Sequence, residues 1–192
     1  MKKIILVISL MISLVLCSAE KTDFIREVLA KNDGFASEGK GTTGGAGAVQ
    51  KNIFKVTNKK EFVEAIRNRK TSDPKILMLY GPIDFDTDDN GKTLKMEDYM
   101  VKGYDFQKYL ETHASKSSAS KSLKEDQEAK RGQSQKNQSK NITVHVPANT
   151  SIIGIENAKL KGVDLVLDSD NVIIRNIMFE SPYDYFPSWD PK

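Results

Sequence analysis

Clustered carboxylates are the first residues of this sequence that could do chemistry. Asp84, Asp86, Asp88 and Asp89 lie within the short segment DFDTDDNG, residues 84–91. Because Ca²⁺ prefers several oxygen ligands, this segment could bind a cation. The EF-hand pattern, however, requires a glutamate at the twelfth loop position, where counting from Asp84 places Lys95. Two interpretations stay open, a solvated acidic turn and a cation site. The absence of the glutamate ligand favours the acidic turn.

Histidine and cysteine offer little further chemistry. His113 and His145 are isolated, which favours surface or packing roles over a general base. Cys17 is the one cysteine, and it lies near the start of the chain. If the chain is cleaved after Ala19, the mature protein has no disulfide, no thiolate nucleophile and no cysteine metal site. Lipid attachment at Cys17 is an alternative that the preceding Leu16 disfavours, since such sites normally require a small residue there.

The first 19 residues have the layout of a secretory signal peptide. Lys2 and Lys3 precede an apolar run at residues 4–16, and small residues then lead to Ala19. The run is about 13 residues, shorter than the roughly 20 of an ordinary membrane span, which argues against the alternative of an uncleaved anchor. We therefore predict a secreted, extracellular protein with no membrane attachment after cleavage. Loss of the two lysines lowers the formal charge from +3 to +1, which argues against a nucleic-acid partner.

The elements after the leader begin with residues 20–30, whose apolar spacing predicts a short amphipathic helix. Residues 32–48 contain six glycines and predict a turn-rich surface segment. A phosphate-binding loop is disfavoured because the pattern GxxxxGKS/T is absent and no strand clearly leads into the segment. Together these residues form the N-terminal extension, residues 20–52, that we predict ahead of the main domain.

A strand, a helix and a second strand are predicted next, over Ile53–Val56, Lys59–Arg69 and Ile76–Tyr80. Asn58 and Glu61 resemble a capping box at the helix start. The predicted buried face of the helix carries Phe62, Val63 and Ile66.

Residues 114–141 are a compositional outlier, with Leu123 as the only large apolar side chain. Such a segment buries too little surface to offset its ordering entropy, so we predict a flexible, solvated loop, helical at most over Leu123–Arg131. Contact of its positive charge with an acidic polymer is the alternative. The preceding residues 96–112 carry several aromatic residues and are predicted to pack against another element.

Short β-rich segments follow at residues 142–146, 151–155, 163–167 and 171–179, separated by PANT, ENAKLKG and DSD. Their spacing fits a sandwich, a barrel or a β-solenoid. In a parallel β-helix, Ile153, Leu165 and Ile173 would form an inner column, and Asn176 would bond stacked backbone groups at a bend. An antiparallel sandwich is the alternative, although the Asn-Gly or Asp-Gly turns typical of it are missing here.

Several segments resemble the secreted bacterial pectate lyases of the parallel β-helix superfamily. They are NVIIRNIMFESPYDYFPSWDP (171–191), VPANTSIIG (146–154), GTTGG (41–45), RGQSQKNQSKN (131–141) and NDGF (32–35). The resemblance extends from about residue 32 to the end of the chain. It implies an all-β solenoid, a right-handed parallel β-helix with an N-terminal capping helix, for which the helix at 59–69 is the candidate. Residues 53–192 would be the first part of this β-helix, with 114–141 as an insertion.

The same resemblance implies calcium-dependent β-elimination of α-1,4-linked polygalacturonate, with an arginine as the base. The family's calcium aspartates and catalytic arginine lie beyond the WDP element, so we expect a monomeric chain that is truncated after the first coils and is inactive alone. Arg175 does not occupy the catalytic position. Asp190 is the one candidate metal ligand, in a peripheral role or as a turn former. The alternative function is a non-catalytic pectin-binding or surface-adhesion module.

Overall fold

The computed structural model describes residues 24–67, 73–114 and 117–189. The leader at 1–19, residues 20–23 of the first predicted helix, and Asp190 lie outside these ranges. Residues 24–26 are helical, and two 3-10 turns follow at Phe35–Ser37 and Gln50–Asn52. The helices are α1 (Lys59–Arg67), α2 (Met96–Tyr99), α3 (Phe106–His113) and α4 (Lys121–Ile142). The strands are β1 (Ile53–Val56), β2 (Lys75–Asp84), β3 (Thr143–His145), β4 (Thr150–Lys161), β5 (Asp164–Val166), β6 (Val172–Arg175) and β7 (Met178–Glu180).

Two compact units divide the described residues. Unit 1 contains the described residues within Met1–Gly81, His145–Ala158 and Leu167–Ile177. Unit 2 contains those of Pro82–Val144, Lys159–Val166 and Met178–Lys192. One sheet has the strand order β1-β2-β4-β6, with β7 also pairing with β4, and β3 pairs with β5 in a second sheet.

Parallel pairing characterises the strands of unit 1. Ile53 of β1 lies opposite Ile76 of β2, and Thr150 of β4 lies opposite Val172 of β6. Parallel neighbours require long crossover connections, as a solenoid provides and a hairpin does not. The predicted parallel β-structure is therefore confirmed, and the antiparallel sandwich is excluded for these strands.

The buried cluster of unit 1 has Ile25, Ala48, Ile76 and Ile153 at its centre. The predicted inner column of Ile153, Leu165 and Ile173 is wrong. In the observed register Ile173 lies opposite Ser151, and Ile153 lies opposite Arg175, because this pair of strands repeats every 22 residues. Leu165 belongs to β5, which lies in the other sheet.

Asparagines mark the bends of unit 1. Asn149, Asn171 and Asn176 have φ of 58°, 58° and 56°, in the left-handed region that asparagine tolerates better than most residues. The predicted bend at Asn176 is confirmed, since its side-chain nitrogen donates to the Gly154 carbonyl at 2.6 Å. The single strand predicted over 171–179 is consequently two strands, β6 and β7.

The glycine-rich segment forms turns as predicted, but it is not wholly on the surface. Gly44 and Gly45 are buried, and the Gly45 amide donates to Ser151 Oγ at 2.8 Å. A Cβ at Gly45 would lie 2.6 Å from the carbonyl carbon of Lys75. Glycine at position 45 therefore allows two backbones to approach closely.

The predicted start of α1 is confirmed. The Glu61 amide donates to Asn58 Oδ1 at 2.9 Å, while the Glu61 carboxylate accepts from the Thr57 amide at 2.8 Å. Phe62 and Ile66 are buried as predicted, whereas Val63 is half-buried. At the end of the helix the buried Lys75 ammonium donates to the Ile66 carbonyl at 3.0 Å.

Unit 2 is built around aromatic side chains. Tyr99, Tyr104, Tyr109 and Phe186 form its buried cluster, with Phe106 and other partly buried side chains against it. The prediction that residues 96–112 pack against another element is confirmed.

The prediction of a loop over 114–141, helical at most over Leu123–Arg131, is wrong for residues 121–141, because Lys121–Ile142 form the long helix α4. The description as all-β is therefore incomplete. The buried residues of α4 recur every three or four positions, as on one helix face: Gln127, Arg131, Ser134, Gln138 and Ile142. Four of these five are polar, and polar side chains are stable in the interior when they are hydrogen-bonded.

Strand β4 is longer than predicted, since it runs through most of the expected ENAKLKG connection to Lys161. This part of β4 pairs in parallel with β7, so that Lys159 lies opposite Met178. The next residue of β4, Leu160, is fully buried. In the part of the chain that the structure describes, no helix combines the length and apolar character needed to cross a bilayer.

Candidate functional site

The tail segment, residues 183–189, lies in unit 2 and overlaps the YDYFPSWDP element of the sequence. It has no regular secondary structure, yet Phe186 at its centre is fully buried. The Phe186 ring lies 5.7 Å from that of Tyr104, and the Tyr185 ring lies 6.1 Å from that of Tyr99. The segment is thus anchored in the aromatic cluster of unit 2.

Side chains of α3 and α4 hold the backbone of the tail segment at three points. Gln138 Nε2 donates to the Tyr183 carbonyl at 2.8 Å, and Arg131 Nη1 donates to the Phe186 carbonyl at 2.8 Å. The Trp189 amide donates to Tyr109 Oη at 2.8 Å. These contacts satisfy backbone groups that an irregular segment cannot pair by itself.

The charge of Arg131 is balanced within α4. Its side chain is 8% exposed, and its Nε and Nη2 atoms donate to the Glu128 carboxylate at 3.0 and 2.8 Å. These hydrogen bonds lower the pKa of Glu128 and raise the pKa of Arg131. A buried guanidinium with a paired carboxylate and a carbonyl acceptor avoids the large cost of an unpaired buried charge.

Asp184 acts inside the tail segment as a turn former. Its Oδ1 accepts from the Phe186 amide at 3.1 Å, a local bond that aspartate commonly makes in turns. Asp190, the candidate metal ligand from the sequence, lies outside the described residues.

Aromatic rings occupy the solvent side of the tail segment. Tyr183 is 68% exposed and Trp189 is 53% exposed. The Tyr183 ring lies 5.0 Å from that of Tyr185, and the Trp189 ring lies 6.0 Å from the ring of His113. His113 itself contacts the Tyr109 carbonyl through Nδ1 at 3.0 Å, which places it in a packing role.

The acidic turn at 84–91 is occupied by internal contacts. Asp84 pairs with Lys161 at 2.9 Å and accepts from the Asp86 amide. Asp88 accepts from the amides of Asn90 and Lys92, each at 2.9 Å. Among the described residues, no three His, Cys, Asp or Glu side chains come together as a candidate metal site.

Arg175 and His145, neither of which was expected to be catalytic, both lie in unit 1. Arg175 is in β6 of unit 1, where Nη1 pairs with Glu27 at 2.7 Å and the guanidinium lies 4.7 Å from the Phe24 ring centre. His145, also in unit 1, is exposed and lies 2.9 Å from Asp168. Both make surface contacts.

Buried tyrosines in unit 2 stay neutral over the physiological range. Burial raises the pKa of Tyr99 and of Tyr104 to about 12. These phenols are therefore poor bases at neutral pH. Both pack in the aromatic cluster, and the Tyr99 hydroxyl also accepts from Asn141 Nδ2 at 2.8 Å.

Sequence reasoning missed Arg131, Gln138 and Tyr109 as the residues that shape the tail segment. A signal was present, since positions 127, 131, 134 and 138 share one helical face. All four are polar, however, and hydrophobic periodicity does not detect such a face.

Comparison with known proteins gives consistent matches. The chain is 41% identical over 192 residues, all of its length, to a pectate lyase of Bacillus subtilis (strain 168), and covers 46% of that relative. It is 33% identical over 163 residues to pectate lyase D of Dickeya chrysanthemi, which is 84% of the chain and 31% of the relative. No protein-family model matches the chain.

Solved structures agree with these matches. A mutant of the Bacillus subtilis pectate lyase aligns with a TM-score of 0.79 and 42% identity over 88% of the chain and 43% of that structure. A pectate lyase bound to a hexasaccharide aligns with a TM-score of 0.80 and 42% identity over the same shares of the two chains. The chain spans less than half the length of these relatives.

Proposed function

Because this chain is a homologue of the pectate lyases along its whole length, we propose that it is the N-terminal part of a secreted pectate lyase. The observation that carries the proposal is the 41% identity over all 192 residues. The substrate we propose is α-1,4-linked polygalacturonate. The parallel β-structure of unit 1 supports the proposal of a pectate lyase, because the structural neighbours are pectate lyases, which have a parallel β-helix fold.

The proposed reaction is β-elimination. A base removes the C5 proton of a galacturonate unit, the electron pair forms a C4=C5 double bond, and the bond from C4 to the glycosidic oxygen breaks. The leaving sugar oxygen takes up a proton, so the products are a shortened chain and an unsaturated uronide. The C5 proton is only weakly acidic, so the charge that develops beside the carboxylate must be stabilised.

The base and the charge-stabilising groups are proposed to lie in the longer protein. The family resemblance implies an arginine as the base and calcium as the cation, with their residues beyond the WDP element. Asp190 is the one residue of this chain that we propose near calcium, in a peripheral role. We therefore propose no catalytic residue within residues 24–67, 73–114 or 117–189.

Two observations support a longer solenoid. Among the described residues β6 and β7 each pair only with β4. Met178 and Phe179 of β7 are 65% and 52% exposed. A further coil would pair these edges and cover these side chains. At the other end of the sheet order, α1 contacts β1, and we propose it as the N-terminal capping helix.

The test compares the full-length product of the gene with residues 20–192. Each is incubated with polygalacturonate, with calcium or with a chelator, and the ultraviolet absorbance of the C4=C5 bond is followed. We expect unsaturated product from the full-length protein with calcium and none from residues 20–192. Absence of product from the full-length protein would overturn the proposed function, and product from residues 20–192 would overturn the assignment of the catalytic groups to the longer protein.

The alternative of a non-catalytic pectin-binding or adhesion module is not favoured, because the relatives named above are all lyases. We also propose secretion, cleavage after Ala19 and a monomeric state. Mass spectrometry of the protein from the culture medium would test the first two, and light scattering of the purified protein would test the third.

A further inference from the structure

The tail segment combines an irregular backbone with an unusually well-defined attachment. Gln138 and Arg131 on α4 hold the carbonyls of Tyr183 and Phe186, each at 2.8 Å. Both donor residues are buried; the bond from Arg131 is fully shielded from water, and the bond from Gln138 is partly shielded. Shielded hydrogen bonds of this kind restrict the backbone more strongly than solvent-exposed ones.

Packing alone does not require these polar residues. Apolar side chains at 131 and 138 would bury more apolar surface and would avoid the desolvation of a guanidinium and an amide. Only a donor, however, can orient a backbone carbonyl. The choice of donors on the face of α4 therefore determines the path of the tail segment and the direction of its side chains.

The side chains presented in this way are aromatic. Tyr183 and Trp189 lie at the two ends of the tail segment and are more than half exposed. Tyrosine and tryptophan have broad apolar faces beside a polar group, which suits contact with a ligand that is apolar on one face and polar at its edge. A sugar ring is such a ligand, with C–H groups on its faces and hydroxyl groups at its rim.

We propose that Gln138 and Arg131 are positioning residues, which hold the tail segment in the conformation that contacts polygalacturonate through Tyr183 and Trp189. The choice of polygalacturonate rests on the proposed function. The two residues touch the backbone of the tail segment, and they act on the sugar only through that segment. Binding sites require groups held in place by such supporting contacts.

Asn137 offers a matched control one residue away. Its Nδ2 donates to the Tyr99 carbonyl at 3.0 Å, so it makes the same kind of bond from α4 but to a different segment. Gln138→Met and Asn137→Leu keep the approximate side-chain shape and remove one amide donor each. Both variants leave one carbonyl without its donor, so a general loss of stability affects both.

The experiment uses the full-length protein and measures kcat and KM on polygalacturonate, the affinity for polygalacturonate by gel retardation, and the melting temperature. We expect Gln138→Met to raise KM and weaken retardation by up to about tenfold, the effect of one lost, partly shielded hydrogen bond, with kcat little changed. Asn137→Leu should leave KM within about twofold of the parent, because the tail segment keeps its donors.

Arg131 provides a second measurement. Arg131→Met should raise KM as Gln138→Met does, and Arg131→Lys should recover part of the affinity because a lysine can still donate to the Phe186 carbonyl. If Arg131→Met does not fold, the comparison of Gln138→Met with Asn137→Leu tests the proposal by itself.

Equal KM and retardation for Gln138→Met and Asn137→Leu would overturn the inference, as would a fall in kcat alone. That second result would mean a smaller folded fraction, or that another part of the longer protein covers the rings. Failure of the proposed function looks different, because the parent protein would then form no unsaturated product. Gel retardation does not depend on catalysis, so it tests the tail segment in either case.

Discussion

The side-chain amide of Asn171 donates to Asn149 Oδ1 at 2.7 Å, and the two residues are one 22-residue coil apart. Asn171 Oδ1 also accepts from the amides of Thr43 and Gly44, at 2.7 and 2.8 Å. One side chain thus joins two successive coils to the glycine-rich segment of the N-terminal extension. Both asparagines have φ of 58°, so the backbone at these bends also favours asparagine.

The first prediction concerns Asn171→Ala. We expect it to destabilise unit 1 by about 3 kcal/mol, because it removes these hydrogen bonds and places alanine in a left-handed conformation. Asn157→Ala is the control, since Asn157 is exposed with φ of 44° and loses mainly the backbone preference, about 1 kcal/mol. Urea unfolding of both variants gives the comparison. Equal losses would show that the bonds of Asn171 contribute nothing beyond backbone conformation.

The second prediction concerns the close approach at Gly45. Gly45→Ala would place a methyl group 2.6 Å from the carbonyl carbon of Lys75, so the glycine-rich segment must move away from β2. We expect a loss of about 3 kcal/mol or more, measured as a lower melting temperature. At Gly47 the nearest atom to an added Cβ, Pro74 Cγ, is 3.9 Å away. Gly47→Ala should therefore be tolerated, and comparable loss from both variants would contradict the steric explanation.

The third prediction uses the buried phenol of Tyr104. Its hydroxyl has no hydrogen-bond partner among the described residues, and burial raises its pKa from 10 to about 12. Because the folded state keeps this phenol neutral, its contribution to the free energy of unfolding is fully present below pH 10 and is lost as the pH rises through about 12. We expect Tyr104→Phe to be as stable as the parent at pH 7, or more stable by up to ~1 kcal/mol, and to lose less stability between pH 10 and 12.

Tyr109→Phe is the comparison for Tyr104→Phe, because the Tyr109 hydroxyl accepts from the Trp189 amide at 2.8 Å. Its removal should cost about 1 kcal/mol at pH 7. Denaturant unfolding at several pH values distinguishes the two. Destabilisation by Tyr104→Phe equal to that of Tyr109→Phe would indicate that the Tyr104 hydroxyl has a partner in the native protein.

The fourth prediction concerns the pair of Glu128 and Arg131. The hydrogen bond from Arg131 lowers the pKa of Glu128, so the contribution of this carboxylate is present above its ordinary value of 4.5. It is lost as the pH falls through the lower, folded-state pKa. We expect Glu128→Gln to lower the melting temperature by a few degrees at pH 7, because Arg131 is left buried without a counter-charge. The melting temperature of the variant should also depend less on pH in the acid range, because the titrating carboxylate is gone.

Asp126→Asn is the control for Glu128→Gln. Asp126 pairs with Lys130 one turn away, and its pKa is also lowered, but this pair lies at the surface. Surface pairs contribute little to stability, so the melting temperature at pH 7 should hardly change. A loss from Asp126→Asn as large as that from Glu128→Gln would contradict the importance of burial at Arg131.

Much of unit 1 was predictable because its signals are local. The β1 and β2 segments are bounded by turn residues, and Asn58 with Glu61 marked the start of α1. The bend at Asn176 was also predicted, since asparagine both tolerates the left-handed region and bonds stacked backbone groups. The register between β4 and β6, which places Ile153 opposite Arg175 and not opposite Ile173, was not predictable, because register depends on which coil length the tertiary packing selects.

By itself, the sequence determined the order of the β-rich segments, the helix after β1, and the resemblance to the pectate lyases, all of which depend on local pattern and motif order. Only the tertiary structure decided that residues 121–142 are a helix and that Arg131 and Gln138 hold the tail segment. The physical reason is that a polar side chain has the same character in a solvated loop and in a buried contact. Its partner is here a carbonyl more than 40 residues away in the sequence. That carbonyl comes within hydrogen-bonding distance only once the chain has folded.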